Sequence, residues 1–314
     1  MRPRDLATLF LLAALWGGSF PFIRVAAPAF GPVVMAAARV ALAALVLWLG
    51  MRALGQRPGI RAHARALLVL GALNAAVPFA LVAAAELRLT ASLAAMLNAT
   101  VPLWGVWFGA RWLGERMTAR RAGGVLLGVA GVGVLVGWSP VALTGEVLLS
   151  VAAMLVATCC YALGGVWTRR RLAGVPAPTL ALGQQLGATA CLALPALWQL
   201  PEARPTLPAT LALLALAVTS TAFAYVLFFR LIASVGPTRT TTVTYLIPLF
   251  GTAWGALFLG EPVTPGMAAG LACILGSVLL VNDVRVGALV PRRWRRATPP
   301  APAPATAPGA CAAR

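Results

Sequence analysis

Asn98-Ala99-Thr100-Val101-Pro102, followed after an apolar run by Leu113-Gly114-Glu115, returns later in the chain as Thr244-Tyr245-Leu246-Ile247-Pro248 and Leu259-Gly260-Glu261. Pro102, Gly114, Glu115 and Gly124 recur as Pro248, Gly260, Glu261 and Gly270, each 146 residues on. The same offset carries Pro32 onto Pro178, Arg39 onto Gln185 and Asn98 onto Thr244. One residue less pairs Trp16 with Tyr161 and Arg24 with Arg169, a drift that a single insertion explains. A chain that matches itself at one spacing over most of its length consists of two related halves.

The halves are apolar. Of 314 residues 61% are hydrophobic and only 10% charged, with a mean hydropathy of +0.89, so water is not the solvent of most of the surface. A helix needs about 20 apolar residues to cross roughly 30 Å of hydrocarbon. Runs of that length lie at Leu6 to Val25, Pro32 to Met51, Ala66 to Ala85, Ala91 to Trp112 and Ala122 to Trp138. Five more lie at Val147 to Trp167, Pro178 to Leu197, Ala209 to Phe229, Thr238 to Leu259 and Pro265 to Val281. Five is odd, so the second half enters the membrane from the opposite side. The expected fold is an all-α polytopic membrane protein of ten transmembrane helices, two inverted five-helix repeats at 1–138 and 139–284, with both termini cytoplasmic.

The net charge of +18 comes from 25 Arg and no Lys, set between the apolar runs. With the N-terminus in the cytoplasm, all but Arg24, Arg39, Arg88 and Arg204 fall on the cytoplasmic side, a bias that fits membrane topology and argues against a nucleic-acid partner. Arg2 and Arg4 before an apolar run resemble a signal peptide, but cleavage would unbalance the five-and-five pairing, so an uncleaved first span is expected. The Arg292 to Arg296 cluster can lie on anionic headgroups. The Pro/Ala-rich tail at 285–314 cannot bury a core and is expected to be disordered. The five Cys show no metal spacing and read as small apolar filler; no cofactor or metal is expected. An Arg-rich, Ala-rich, Lys-free composition fits a GC-rich bacterial genome, hence a bacterial inner (plasma) membrane.

The ordered set Trp16-Gly17-Gly18-Ser19-Phe20, Pro32 with Arg39, Asn98 to Pro102, Leu113-Gly114-Glu115, Val235-Gly236-Pro237-Thr238, Tyr245 to Pro248, Leu259-Gly260-Glu261-Pro262 and Gly270 to Gly276 resembles the drug/metabolite transporter superfamily. In particular it is similar to EamA-type members with two tandem EamA domains, from Leu6 to Asp283. The resemblance implies a ten-helix secondary carrier, often an exporter of amino acids or related metabolites, with a cavity lined by helices 1, 3, 4, 6, 8 and 9. Its partners would then be a small-molecule substrate and the lipid bilayer, as a monomer or homodimer.

Arg39 lies about eight residues past Pro32, hence about 12 Å deep. A guanidinium there costs at least about 2.5 kcal/mol on insertion scales, so it faces protein or water, either as counter-charge to a substrate carboxylate or bonded to carbonyls of neighbouring helices. Asn98 and Pro102 share one helix face, as do Thr244 and Pro248. Each proline removes the bond to the carbonyl four residues back, which makes Pro102 and Pro248 helix-break or gating candidates beside polar side chains. Mid-membrane sites at a repeat interface suit a substrate; ordinary interhelical bonding is the alternative. Trp16, Trp104, Tyr161, Tyr225 and Tyr245 lie inside spans, as stacking walls or as packing. Asn74, Thr219 and Ser220 add polar points on helices 3 and 8. Gly123, Gly124, Gly128 and Gly131, with Gly270 and Gly276, read as close-packing surfaces.

Every Asp and Glu falls at or near a span end, so no mid-membrane acid offers a simple proton relay. An intramembrane enzyme would need a nucleophile with a base or a metal cluster. The sole His, His63, sits in a loop, and an enzyme is not expected. A non-transporting subunit would need a large soluble loop, and none exists. Within transport, uptake or exchange of phosphorylated metabolites is the alternative, which calls for several cavity-facing Arg or Lys.

Overall fold

The computed structural model describes residues 2–236, 240 and 242–281. Pro237, Thr238, Arg239, Asp283 and the whole 285–314 tail, with its Arg cluster and Cys311, lie outside the described residues. Every regular element among the described residues is helical.

Eight helices are long and apolar enough to cross a membrane: α1 Pro3–Phe30, α2 Pro32–Ala53, α3 Ile60–Ala85, α4 Ala91–Trp112, α5 Ala119–Gly137, α6 Gly145–Arg171, α7 Ala177–Glu202 and α8 Leu207–Ile232. Two shorter apolar helices follow, α9 Val243–Leu259 and α10 Pro265–Val281, of 17 residues each. Seventeen residues rise about 25 Å, short of the roughly 30 Å of hydrocarbon. Of the run expected from Thr238, the structure describes one continuous helix, Val243–Leu259; Thr238, Arg239 and Thr241 lie outside the described residues. Large apolar side chains face outward, Trp198 at 85% and Leu194 at 80% exposure, a surface suited to lipid tails rather than water. The chain is a multi-pass membrane protein.

The ends of α4 and α9 explain the doubled Leu-Gly-Glu. Gly114 and Gly260 take φ of +69° and +65°, the left-handed region that stops a helix. The next amides, of Glu115 and Glu261, then bond back to the carbonyls of Gly109 and Gly255 at 3.2 and 3.3 Å. Each repeat thus ends its fourth helix with one device, and each Glu side chain folds over a glycine that has room for it.

A second repeat-related feature has no sequence signature. α3 widens into a π-turn at Ala72–Ala76 and α8 at Val218–Phe223, and Val218 lies 146 residues after Ala72. In α3, Pro78 lacks the amide that would have reached the Asn74 carbonyl. α8 has no such proline; there the Thr219 and Thr221 hydroxyls donate to the Ala215 and Leu216 carbonyls at 2.6 and 2.9 Å, satisfying groups a widened turn disturbs.

α1, α3, α4, α6, α8 and α9 enclose a central space. α2 and α7 pack on its sides, and α5 and α10 pack on each other. A Cβ on Gly131 would meet the Ile274 backbone nitrogen at 3.0 Å, and one on Gly270 would meet the Leu135 backbone at 2.7 Å. Gly124 and Gly128 make similar approaches, whereas Gly123 faces open space and Gly276 has only an ordinary contact at 3.8 Å. Only part of the expected glycine surface is therefore a packing surface.

Candidate functional site

A cavity of about 360 Å³ lies within this ring of helices. α1 contributes Trp16, Ser19, Phe20 and Ile23; α3 contributes Asn74, Phe79 and Val82. Asn98 and Val101 come from α4, Tyr161 from α6, Ser220, Tyr225 and Phe228 from α8, and Val243, Thr244 and Ile247 from α9. Arg39 is the contribution of α2 and the one charged residue among those lining it. A wall of this kind, mostly apolar and aromatic with few polar groups, is the usual make-up of a small-molecule site.

Arg39 is 5% exposed. Its Nε–H donates to the Thr221 hydroxyl at 2.9 Å, and its guanidinium carbon sits 3.8 Å from the centroid of the Phe79 ring. The bond and the ring fix the side chain's orientation. Among the described residues no carboxylate forms an ion pair with it. Thr221 belongs to the α8 π-turn, so the widened turn delivers the hydroxyl that orients the arginine.

The α3 π-turn also reaches across to the other half, through neutral groups and at positions that are not the repeat counterparts of Arg39 and Thr221. Asn74, in the α3 π-turn, donates from Nδ2 to Gln184 Oε1 at 2.9 Å. Asn74 and Ser220 occupy matching places in the two π-turns, 146 residues apart, and both line the cavity. Gln185, the repeat counterpart of Arg39, is fully buried, with no hydrogen-bond partner at either side-chain atom.

Aromatic rings close the walls. Trp16 meets Tyr225 edge-on at 6.2 Å between centroids and Phe228 at 5.3 Å; Tyr161 lies 6.5 Å from Phe79. Asn98 ends the first half of α4, before the helix breaks at Ala99 and Thr100 and resumes at Val101 with Pro102 in its first turn. Thr244 stands at the start of α9, whereas Pro248 lies inside that helix without interrupting it.

The structure thus gathers Trp16, Arg39, Asn74, Asn98, Tyr161, Tyr225 and Thr244 around one cavity. Trp104 is elsewhere: its indole N–H donates to the Thr158 hydroxyl at 3.0 Å, which also accepts from Thr100 at 3.1 Å, tying α4 to α6. Tyr245 is not among the lining residues, nor is Pro102 or Pro248. Sequence reasoning missed Phe79, Phe228 and Gln184. A Phe in an apolar run carries no mark that separates cavity wall from core, and Gln184 was passed over for its neighbour Gln185, the repeat counterpart of Arg39.

Comparison with known proteins gives matches over most of the chain. The pattern of the EamA-like transporter family matches residues 6–137 and 148–283. The "Uncharacterized transporter YvbV" of Bacillus subtilis is 26% identical over 284 residues, 90% of this chain and 92% of that protein. The "Probable terminal-alkyne amino-acid exporter" of Streptantibioticus cattleyicolor is 26% identical over 93% of this chain and 96% of its own length. The "S-adenosylmethionine/S-adenosylhomocysteine transporter" of Chlamydia trachomatis is 27% identical over 88% of each. A solved crystal structure aligns with a TM-score of 0.63 at 21% identity, covering 89% of this chain and 96% of its own, which shows a shared fold.

Proposed function

The chain belongs to the EamA-like transporter family, and from that premise we propose that it is a secondary carrier exporting small metabolites such as amino acids by alternating access. It is a transporter, not an enzyme. One observation carries the substrate reading: Arg39, oriented by Thr221 and Phe79, stands in the cavity wall with no carboxylate paired to it among the described residues. A lone guanidinium in a poorly solvated cavity attracts an anionic group strongly. A single cation suits one carboxylate better than a doubly charged phosphate, which calls for several Arg or Lys. The named solutes of two relatives, a terminal-alkyne amino acid and S-adenosylmethionine, both carry an amino-acid end. That shared chemistry supports an α-carboxylate held at Arg39 and a variable body against Trp16, Phe79 and Tyr161.

The proposal includes ten spans in two inverted repeats, 1–138 and 139–284, with both termini cytoplasmic in a bacterial inner membrane, as a monomer or homodimer. The Arg bias and the π-turns at repeat-related positions support it. Such a pair of halves can open the cavity alternately to either side.

The test is to overproduce the protein in a bacterial host and measure by mass spectrometry which metabolites enter the medium, against Arg39→Gln that still inserts. Release of amino acids by the wild type alone is expected. Equal release by both proteins removes Arg39 from the substrate site; uptake instead of release favours the alternative of an import or exchange carrier.

A further inference from the structure

The α3 end of the cavity holds an acid that the substrate site does not use. Glu86 follows the last residue of α3, and its amide bonds to the carbonyl of Val82, a lining residue, at 2.9 Å. It therefore sits one turn beyond the cavity, on the side opposite the start of α1. It is 1% exposed, and neither carboxyl oxygen has a hydrogen-bond partner. Arg24 of α1 reaches the same residue but donates to its backbone carbonyl, not to its side chain.

The surroundings give a charged Glu86 carboxylate no hydrogen-bonded partner. The charged groups acting on Glu86 are Glu261 beyond α9, Arg24 of α1 and Arg39 of α2. Arg88 is turned away to Glu146 at 3.1 Å in an exposed pair. Glu261 is already engaged, its side chain accepting from the Ala91 and Ser92 amides at 2.7 and 2.8 Å and from the Ser92 hydroxyl at 2.6 Å, at the N-terminus of α4. An ionised Glu86, buried and unbonded, would cost several kcal/mol or more; a neutral acid there costs far less. The end is also shut: Ala91 to Leu97 are all buried, and Gly251 of α9 packs so closely on Ala95 that a Cβ would sit 2.4 Å from it. The position 146 residues on from Glu86 is Ile232, so the other repeat carries no matching acid.

We propose that Glu86 is a proton-binding site that gates this end of the cavity, holding a proton while the end is closed and releasing it to water when the end opens. The step balances as one carboxylic acid giving one carboxylate and one hydrated proton, the carboxylate then pairing with the Arg24 guanidinium. A closed form that binds one more proton than the open form is favoured at low pH and lost as pH rises. The role as a gate rests on the carrier reading above; the proton site itself does not.

Two measurements on the full chain in lipid nanodiscs test it without relying on transport. Infrared spectra of wild type minus Glu86→Gln at mildly acidic pH should contain the carbonyl stretch of a protonated carboxylic acid, lost in the variant. Amide hydrogen exchange over 91–98, corrected for intrinsic base catalysis, should rise with pH in the wild type by up to about tenfold per pH unit, the limit for one released proton. In Glu86→Gln it should stay flat. Absence of the carboxylic acid band, or the same corrected pH dependence in both proteins, overturns the proposal. Both signals in a chain that moves no solute would uphold the proton site while removing the carrier reading.

Discussion

Arg39 of α2 and Thr221 of α8, 182 residues apart in sequence, meet through one hydrogen bond of 2.9 Å, and the Thr221 hydroxyl in turn donates a hydrogen bond to the Leu216 carbonyl across the π-turn. The arginine's direction therefore depends on the widened turn. Thr221→Val keeps the volume and removes both bonds. A hydrogen bond to a charged group contributes about 1.5–3 kcal/mol, so the KM for a carboxylate-bearing solute should rise about tenfold to a hundredfold. The concentration dependence of flux in proteoliposomes reads this directly, with kcat changing less.

Glu261 and Glu115 close equivalent helices but hold different partners. Glu261 caps α4 with three short bonds, whereas Glu115 meets Arg121 and Arg169 at 3.4 and 3.3 Å and is 36% exposed. Losing a helix cap costs about 0.5–2 kcal/mol, while solvated ion pairs contribute about 0–1 kcal/mol. Glu261→Ala should thus lower the Tm of the purified protein more than Glu115→Ala does, measured by thermal unfolding in one detergent.

The α5–α10 contact separates glycines that look alike in sequence. Gly270→Ala pushes a methyl into the Leu135 backbone, which cannot rotate away; Gly123→Ala meets nothing within 4 Å. Overpacking typically costs about 1–3 kcal/mol. Gly270→Ala should reduce the yield of monodisperse protein and its Tm, and Gly123→Ala should match the wild type in size-exclusion profile and melting.

These contrasts mark how far the sequence can be read. The 146-residue offset and the apolar runs are strong one-dimensional signals, and the positions of α1 to α8 follow from them within a few residues. Arg39 stands out because a charge inside an apolar run is costly, and Asn98 and Thr244 because the repeat pairs them. The π-turns are invisible because a widened turn needs no particular residue: Pro78 accompanies one and nothing comparable the other. With them went Thr221, a threonine like any other until the turn aims it at Arg39. Glu86 was placed at a span end, which it is. Its burial is a product of tertiary packing, in which Arg24 of α1 reaches its backbone carbonyl, and no local pattern encodes that. Which of its two readings Trp104 follows, cavity wall or packing, is likewise decided at long range, its N–H being taken by Thr158 on a helix more than fifty residues away.

The central claim is that solute binds between the two repeats, beside Asn98 and Thr244, in the cavity that Arg39 faces. The most direct measurement is solute counterflow in proteoliposomes loaded with an unlabelled amino-acid mixture, comparing the wild type with the double variant Asn98→Ala, Thr244→Ala. Accumulation of labelled amino acid by the wild type, lost in a double variant that purifies and melts normally, is the predicted result. Undiminished counterflow in the double variant would contradict a site between the repeats.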